Sequence, residues 1–295
     1  MLVLIRGAGD IASGIALRLY RAGMDVVMTE ISEPTAIRRT VCFSEALRLK
    51  KEILVEDVPA VPVMLNFPAA SGIKEEDRKE LKTQVARILA DRKIAVLEDP
   101  EALSGSVLKP DALVDAILAK KNLGTRISDA PAVIGVGPGF TAGTDCHAVV
   151  ETKRGHTLGR VILKGSAIAN TGVPGNIGGY TTERVLRAPA EGIFRTVRKI
   201  GDHVEPGDEV AYVEARDNAS GQEDPVRVPL SAAIGGVLRG LLPDGTKVSE
   251  GMKSGDVDPR DVGNNCFTAS DKALAVGGGV LEAILYLTGA LRASS

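Results

Sequence analysis

Gly7, Gly9 and Ala12 stand in the spacing GxGxxA within Gly7-Ala8-Gly9-Asp10-Ile11-Ala12-Ser13-Gly14, directly after the apolar run Leu2 to Ile5. In that order a strand enters a tight turn at Gly7, and Gly9 leaves bare backbone open to a phosphate. The helix that follows, ending at Ala22-Gly23, then offers unpaired N–H groups and the positive end of its dipole. Asp25-Val26-Val27-Met28-Thr29-Glu30 reads as the next strand. Its terminal carboxylate lies about 20 residues past the glycines, where an acid usually holds a ribose 2′-hydroxyl. Glycines at such a turn also serve helix-to-strand packing alone, so the pattern speaks to fold before ligand. Arg38 and Arg39 follow Glu30 closely enough to accept a 2′-phosphate, and equally suit a solvated surface.

A second strand-to-glycine passage runs from Ala132 to Val136 and on through Gly137, Gly139 and Gly143. Such a loop presents several backbone N–H groups to an anion, although a turn packed on a sheet has the same spelling. Cys146 to Glu151 and Leu158 to Leu163 pair as a hairpin that carries Lys153, Arg154, His156, Arg160 and Lys164 on its turn and flanks. Arg154 and Arg160 are the candidates for phosphate oxygens. Cys146, after the glycine loop and beside these bases, is the candidate nucleophile, because nearby cations lower a thiol pKa. The competing reading is a small buried residue on a strand. Alternation puts Asp145 and His147 on the face opposite Cys146. With no CxxC, HxxxH or HExxH spacing, no metal site is read.

The elements that must position these residues alternate as β and α. Pro34 to Leu49 reads as a turn and short helix, Ile53 to Met64 as extended chain, and Lys74 to Asp91 as a helix with Leu81, Val85, Ile88 and Leu89 on one stripe. Ile94 to Leu97 is a buried strand, and Pro110 is expected to start a helix over Asp111 to Lys121. Beyond Arg187 the pattern changes to short β segments, and a shift of 44 positions lays Gly192 on Gly236, Gly201 on Gly245, Val204 on Val248 and Gly207 on Gly251. That repeat is expected to form a barrel-sandwich hybrid, the fold of biotinyl and lipoyl carriers. A carrier needs a lysine on the hairpin joining its halves, and none occurs between Lys199 and Lys247. The module is therefore read as one for binding or docking.

The expected fold class is α/β: a Rossmann-like glycine-loop domain with an inserted barrel-sandwich-hybrid (biotinyl/lipoyl-like) β domain. The expected domains are 1–130, the Rossmann-like α/β part; 131–186, the second glycine loop and hairpin; 187–258, the barrel; and 259–295, a C-terminal helix packing back on the α/β core. Its 295 residues suffice for two or more domains. Lys plus Arg number 36 against 38 acids and Trp is absent, which argues against nucleic acid as a partner. Three scattered cysteines, Cys42, Cys146 and Cys266, suit a reducing cytoplasm. The first apolar run meets Arg6 at once, so no signal peptide is read. The stretch Ala273 to Leu291 carries Glu282 and Gly277-Gly278-Gly279 and is expected to be a buried helix, not a membrane span.

GAGDIASGIALRLYRAG, EISEPTAIRRTVCFSEA, GVGPGFTAGTDCHAVVETKRGHTLGRVI and SDKALAVGGGVLEAI occur in that order. In them the chain resembles the YqeB-type accessory proteins of the selenium-dependent molybdenum hydroxylase system. The resemblance implies a maturation factor for xanthine-dehydrogenase-like enzymes with labile selenium, and hence a client enzyme as partner. It brings no established catalytic residues. The ligand expected at Gly7, Gly9, Asp10, Ala12, Glu30, Gly137, Gly139 and Gly143 is a small nucleotide-containing molecule, with NAD(P) and the molybdenum cofactor as candidates. The alternative is a self-standing NAD(P)-dependent oxidoreductase with an appended β-barrel module, for which no proton donor stands out. A chaperone that keeps the glycines without a ligand is a third reading. Catalysis is left open, and a homo-oligomer is compatible with all three.

Overall fold

A computed structural model of the chain describes residues 1–65, 74–170, 172, 175–215 and 225–291. It divides into two compact units, one of Met1–Pro34, Cys42–Thr171 and Ala269–Ser295, the other of Thr35–Val41 and Gly172–Thr268. These breaks differ from the boundaries expected at 130, 186 and 258.

The first unit contains β1 (Leu2–Arg6), α1 (Asp10–Arg21), β2 (Asp25–Glu30), α2 (Glu45–Leu49), β3 (Ile53–Val55), β4 (Val58–Val63), α3 (Glu75–Ala90) and β5 (Ile94–Glu98). It continues through α4 (Gly105–Leu108), β6 (Ala112–Asp115), β7 (Ala132–Val136), β8 (Thr141–Ala142), β9 (Ala148–Val150), β10 (Val161–Ile162) and β11 (Gly165–Ser166) to the last helix, α5 (Asp271–Thr288). One nine-stranded sheet runs β10-β9-β7-β6-β1-β2-β5-β4-β3. Strands from β9 to β4 are parallel, while β10 and β3 close the two edges antiparallel. Val3, Leu4 and Ile5 of β1 are fully buried, as a central parallel strand covered on both faces must be. Leu81, Val85 and Ile88 of α3 join Leu4, Val27, Ala95 and Leu97 in one apolar cluster. A two-stranded ribbon pairs β8 with β11.

In the second unit, β12 (Val185–Arg187), β13 (Gly192–Thr196), β14 (His203–Val204) and β15 (Glu209–Ala215) are followed by β16 (Val226–Ser231), β17 (Gly236–Leu241), β18 (Lys247–Val248) and β19 (Lys253–Asp258). They form two four-stranded antiparallel sheets, β12-β19-β17-β14 and β16-β15-β13-β18. Phe194, Val213, Leu238 and Val257 lie in their common core. The 44-residue repeat is visible in the exchange of short strands, since β14 pairs with β17 of the second copy and β18 with β13 of the first. The strap Thr35–Val41 belongs to this unit, and Leu241 N donates to Ile37 O at 2.8 Å. The connection 216–224, where a carrier lysine would be needed, lies outside the described residues.

The Rossmann-like domain with an inserted barrel-sandwich hybrid is corrected by these sheets. Here β5 intervenes between β2 and β4, both edges are antiparallel, and residues 116–131 join β6 to β7 without a helix. A dinucleotide-binding sheet instead keeps its first three strands adjacent and wraps each crossover with a helix. The helix expected over Asp111 to Lys121 is strand β6 and a loop. Ala112-Leu113-Val114 is too short an apolar run for periodicity to separate strand from helix, and pairing with both β1 and β7 decides it. Among the described residues no helix is long and apolar enough to cross a membrane.

Candidate site at the carboxyl edge of the large sheet

The chain leaves β1 toward β2 on one side and returns through β6 on the other, so the strand order reverses between β1 and β6. In open α/β sheets a crevice at such a reversal is the usual place for a ligand. Three connections meet there. A Cβ built on Gly7, whose φ is +103°, would come 3.1 Å from Ala116 O. One on Gly137 would approach Leu118 Cδ2 at 3.4 Å and Thr152 Oγ1 at 2.7 Å, and one on Gly139 would lie 2.7 Å from Lys121 Cα. The loop 116–121 therefore touches both glycine turns, and these glycines are required by close chain approach.

Beneath the loops lies a buried polar frame. Arg6 Nη1 donates to Thr125 Oγ1 at 2.9 Å and faces Asp115 Oδ2 at 3.4 Å, while Thr125 Oγ1 donates to Asp115 Oδ2 at 2.6 Å. Arg6 Nη2 reaches Leu123 O and Pro100 O at 3.0 and 3.2 Å. Asp99, at the end of β5, accepts from Leu103 N and Ser104 N, and Glu151, after β9, accepts from Thr152 N, Lys153 N and Ile168 N. These buried charges are satisfied by main chain or by each other, as burial demands. Sequence reasoning missed Arg6, Asp99, Asp115 and Glu151. The available signal was a charged residue at or just past the end of the apolar runs of β1, β5, β6 and β9.

Most candidate donors are engaged inside the fold. Gly7 N donates to Thr29 O at 2.8 Å and Ala8 N to Glu30 Oε2 at 3.0 Å, while Glu30 Oε1 accepts from Ile31 N at 2.9 Å. Glu30 thus binds its own turn, with one bond to each carboxylate oxygen. In the second loop Gly137 N donates to Val150 O and Gly143 N to Cys146 O, at 2.9 and 2.8 Å, so neither N–H is open to an anion. Gly139 is held against Lys121. What remains is the start of α1, where Gly9 is the N-cap, no side chain caps the helix, Asp10 sits in the first turn and Ala12 is buried. The first turn of a helix has N–H groups without intrahelical partners.

The basic hairpin forms with Val161 opposite Val150. Arg154 grips Asp271 of α5 through both nitrogens, at 2.6 and 2.9 Å, so its fork holds a helix in place where a phosphate was expected. Arg160 is exposed, and four strand steps separate β10 from β1. Cys146 is fully buried among core residues. Burial pushes its thiol up to about 11, opposed in part by a hydrogen bond from Gly135, with a smaller rise from Asp145 and a still smaller lowering from Ala148. The activated nucleophile is thereby corrected to a protonated core thiol. Cys42 and Cys266 are buried as well. Among the described residues no three His, Cys, Asp or Glu side chains gather as a metal-holding group.

No protein-family model matches the chain. Among solved structures, the product-bound ectoine utilization protein EutE (DoeB) from Ruegeria pomeroyi aligns at 13% identity and TM-score 0.23, over 82% of this chain and 61% of that one. An aspartoacylase family protein from Mesorhizobium loti aligns at 12% identity and TM-score 0.27, over 87% and 84% of the two chains. A succinylglutamate desuccinylase/aspartoacylase from Rhodobacter sphaeroides covers 25% of this chain and 21% of its own, with 17% identity and TM-score 0.22. In sequence, the chain is 50% identical over 286 residues to the uncharacterized protein YqeB of Escherichia coli (strain K12). That match covers 97% of this chain and 48% of YqeB, so the chain spans about half the length of this curated relative. The motifs that resemble the YqeB-type family thus sit within a similarity to YqeB that runs through nearly the whole chain.

Proposed function

We propose that this chain is an accessory protein for maturation of a molybdenum hydroxylase, and that it binds a phosphate-bearing, nucleotide-containing ligand at the turn between β1 and α1. The client follows from the resemblance of its motifs to the YqeB-type accessory proteins. The ligand site rests on one observation at Gly9. Its φ is −77°, and a Cβ built on it would meet nothing within 4 Å, so neither conformation nor packing requires glycine there. Gly7, Gly14, Gly137 and Gly139 each have an internal reason for lacking a side chain. At Gly9 the bare backbone lies next to an uncapped helix start, where a phosphate oxygen can accept from first-turn N–H groups and meet the positive end of the dipole. The molybdenum cofactor in dinucleotide form carries such phosphates. The oxidoreductase reading is set behind this one because Glu30, its ribose acid, is engaged with Ala8.

Calorimetry on the full chain with ADP, NADP and a pterin dinucleotide tests the ligand. Wild type should bind at least one of them, and Gly9→Val should abolish that binding while lowering the melting temperature by only a few degrees, because the position has room and valine is merely a poorer N-cap. Failure of wild type to bind any of the three would reject the site.

A further inference from the structure

We infer that Glu30 is a positioning residue of this site, so that the ligand is selected through its phosphate and not through a ribose 2′-hydroxyl; the inference rests on the ligand reading just given. Besides the helical bond from Ser13 N to Gly9 O, four hydrogen bonds at Gly7 and Ala8 fix the turn. Gly7 N donates to Thr29 O, Ala8 N to Glu30 Oε2, and Ala8 O accepts from Ser44 N at 3.0 Å and Ser13 Oγ at 3.2 Å. Of these only the bond to Glu30 uses an ionised acceptor, and it spans 22 positions of sequence. Ser13 Oγ also accepts from Phe43 N at 2.9 Å, which ties the same turn to the segment ahead of α2. Ala8 is fully buried, so its N–H has no water to fall back on if the carboxylate is removed.

Two consequences follow for recognition. With Oε2 on Ala8 N and Oε1 on Ile31 N, the plane of the carboxylate is set by the chain itself. The turn is held in one geometry before any ligand arrives, which is what an anion site made of backbone donors needs. The carboxylate is also a negative charge beside a site for an anion. Glutamine in its place can keep the bond to the buried Ala8 N through its one carbonyl oxygen, gives up the bond to the exposed Ile31 N, and removes a repulsion.

Glu30→Gln and Glu30→Ala in the full chain separate the roles. The probes are ADP, 2′-deoxy-ADP and inorganic pyrophosphate by calorimetry, with hydrogen exchange of the Ala8 amide as a readout that needs no ligand. The expected result is that wild type binds ADP and its deoxy form within about twofold, and that Glu30→Gln binds all probes as tightly or up to about threefold tighter. Glu30→Ala should weaken all three together by about tenfold and speed exchange at Ala8. A strong wild-type preference for ADP over 2′-deoxy-ADP that disappears in Glu30→Gln would return Glu30 to a ribose and overturn the inference. If no probe binds wild type, the ligand reading fails by itself. The exchange data still decide Glu30: slow exchange in wild type and Glu30→Gln with fast exchange in Glu30→Ala supports the brace, and equal rates in all three overturn it.

Discussion

Arg6 and Asp115 show how much of the carboxyl edge depends on single side chains. Both are buried, and with Thr125 they tie the ends of β1 and β6 to the loop beyond. Removing one partner of such a pair leaves an uncompensated charge and typically costs about 3–5 kcal/mol. Cys146 is the opposite case, a residue with reactive chemistry that its surroundings silence. A thiol pushed up to about 11 is ionised to roughly one part in a thousand at pH 8. Iodoacetamide at that pH should therefore leave Cys146 unmodified in the native protein and alkylate it in urea, with peptide mass spectrometry as the measurement. Rapid native labelling would show that the thiol is reachable and restore it as a nucleophile.

At the scale of the element, α5 explains a feature that has no meaning along the sequence alone. Gly277 faces α1, where a Cβ would come 2.8 Å from Gly14 O, and a Cβ on Gly14 would come 2.5 Å from that of Ala273. Gly279 faces the hairpin, and a Cβ there would collide with Gly159 O. Gly278, between them, meets nothing within 4 Å. The triplet therefore contains two glycines required by packing and one that only weakens the helix. Gly278→Ala should stabilise the protein by up to about 1 kcal/mol through helix propensity. Gly279→Ala should destabilise it by roughly 1–3 kcal/mol through overpacking. Thermal and urea melts check both, and equal effects would mean that α5 does not sit between α1 and the hairpin. Ser270, whose side chain accepts from Ala273 N at 3.2 Å, and the αL residue Gly289 delimit the same helix.

For the whole molecule, the two units have different internal logic. The first is built around a nine-stranded sheet, with three connections meeting at its carboxyl edge. The second is a repeat held by swapped short strands and by buried Arg239, Asp256 and Asp258. Its strap adds Arg38, which donates to Asn265 O and Thr268 O at 2.8 and 3.0 Å. If the proposed role in maturation holds, deleting the gene should leave the client polypeptide present but poorly active, with molybdenum, selenium or both reduced by elemental analysis. Gly9→Val in place of the deletion should reproduce that deficiency, since it removes the ligand site and keeps the fold. A fully loaded and active client in the deletion strain would reject the role.

Much of the local structure was legible from residue types. The run Leu2 to Ile5, the turn at Gly7, the helix after it and the β9–β10 hairpin depend on short-range pattern and the 44-residue repeat on self-similarity along the chain, and the structure contains each of them. The repeat even carries its reason. Cβ atoms on Gly192 and Gly236 would strike Glu214 O and Asp258 O, positions again 44 apart. Strand order was not legible, because pairing across a sheet depends on contacts distant in sequence, and the Rossmann-like expectation failed there. The state of the site was not legible either. Glu30, Arg154, Gly137 and Gly143 have residue types suited to binding a ligand, yet their partners are Ala8, Asp271, Val150 and Cys146. A sequence names donors and acceptors, whereas only the packed chain decides which are already satisfied, and Gly9 at an uncapped helix start is what that accounting left open.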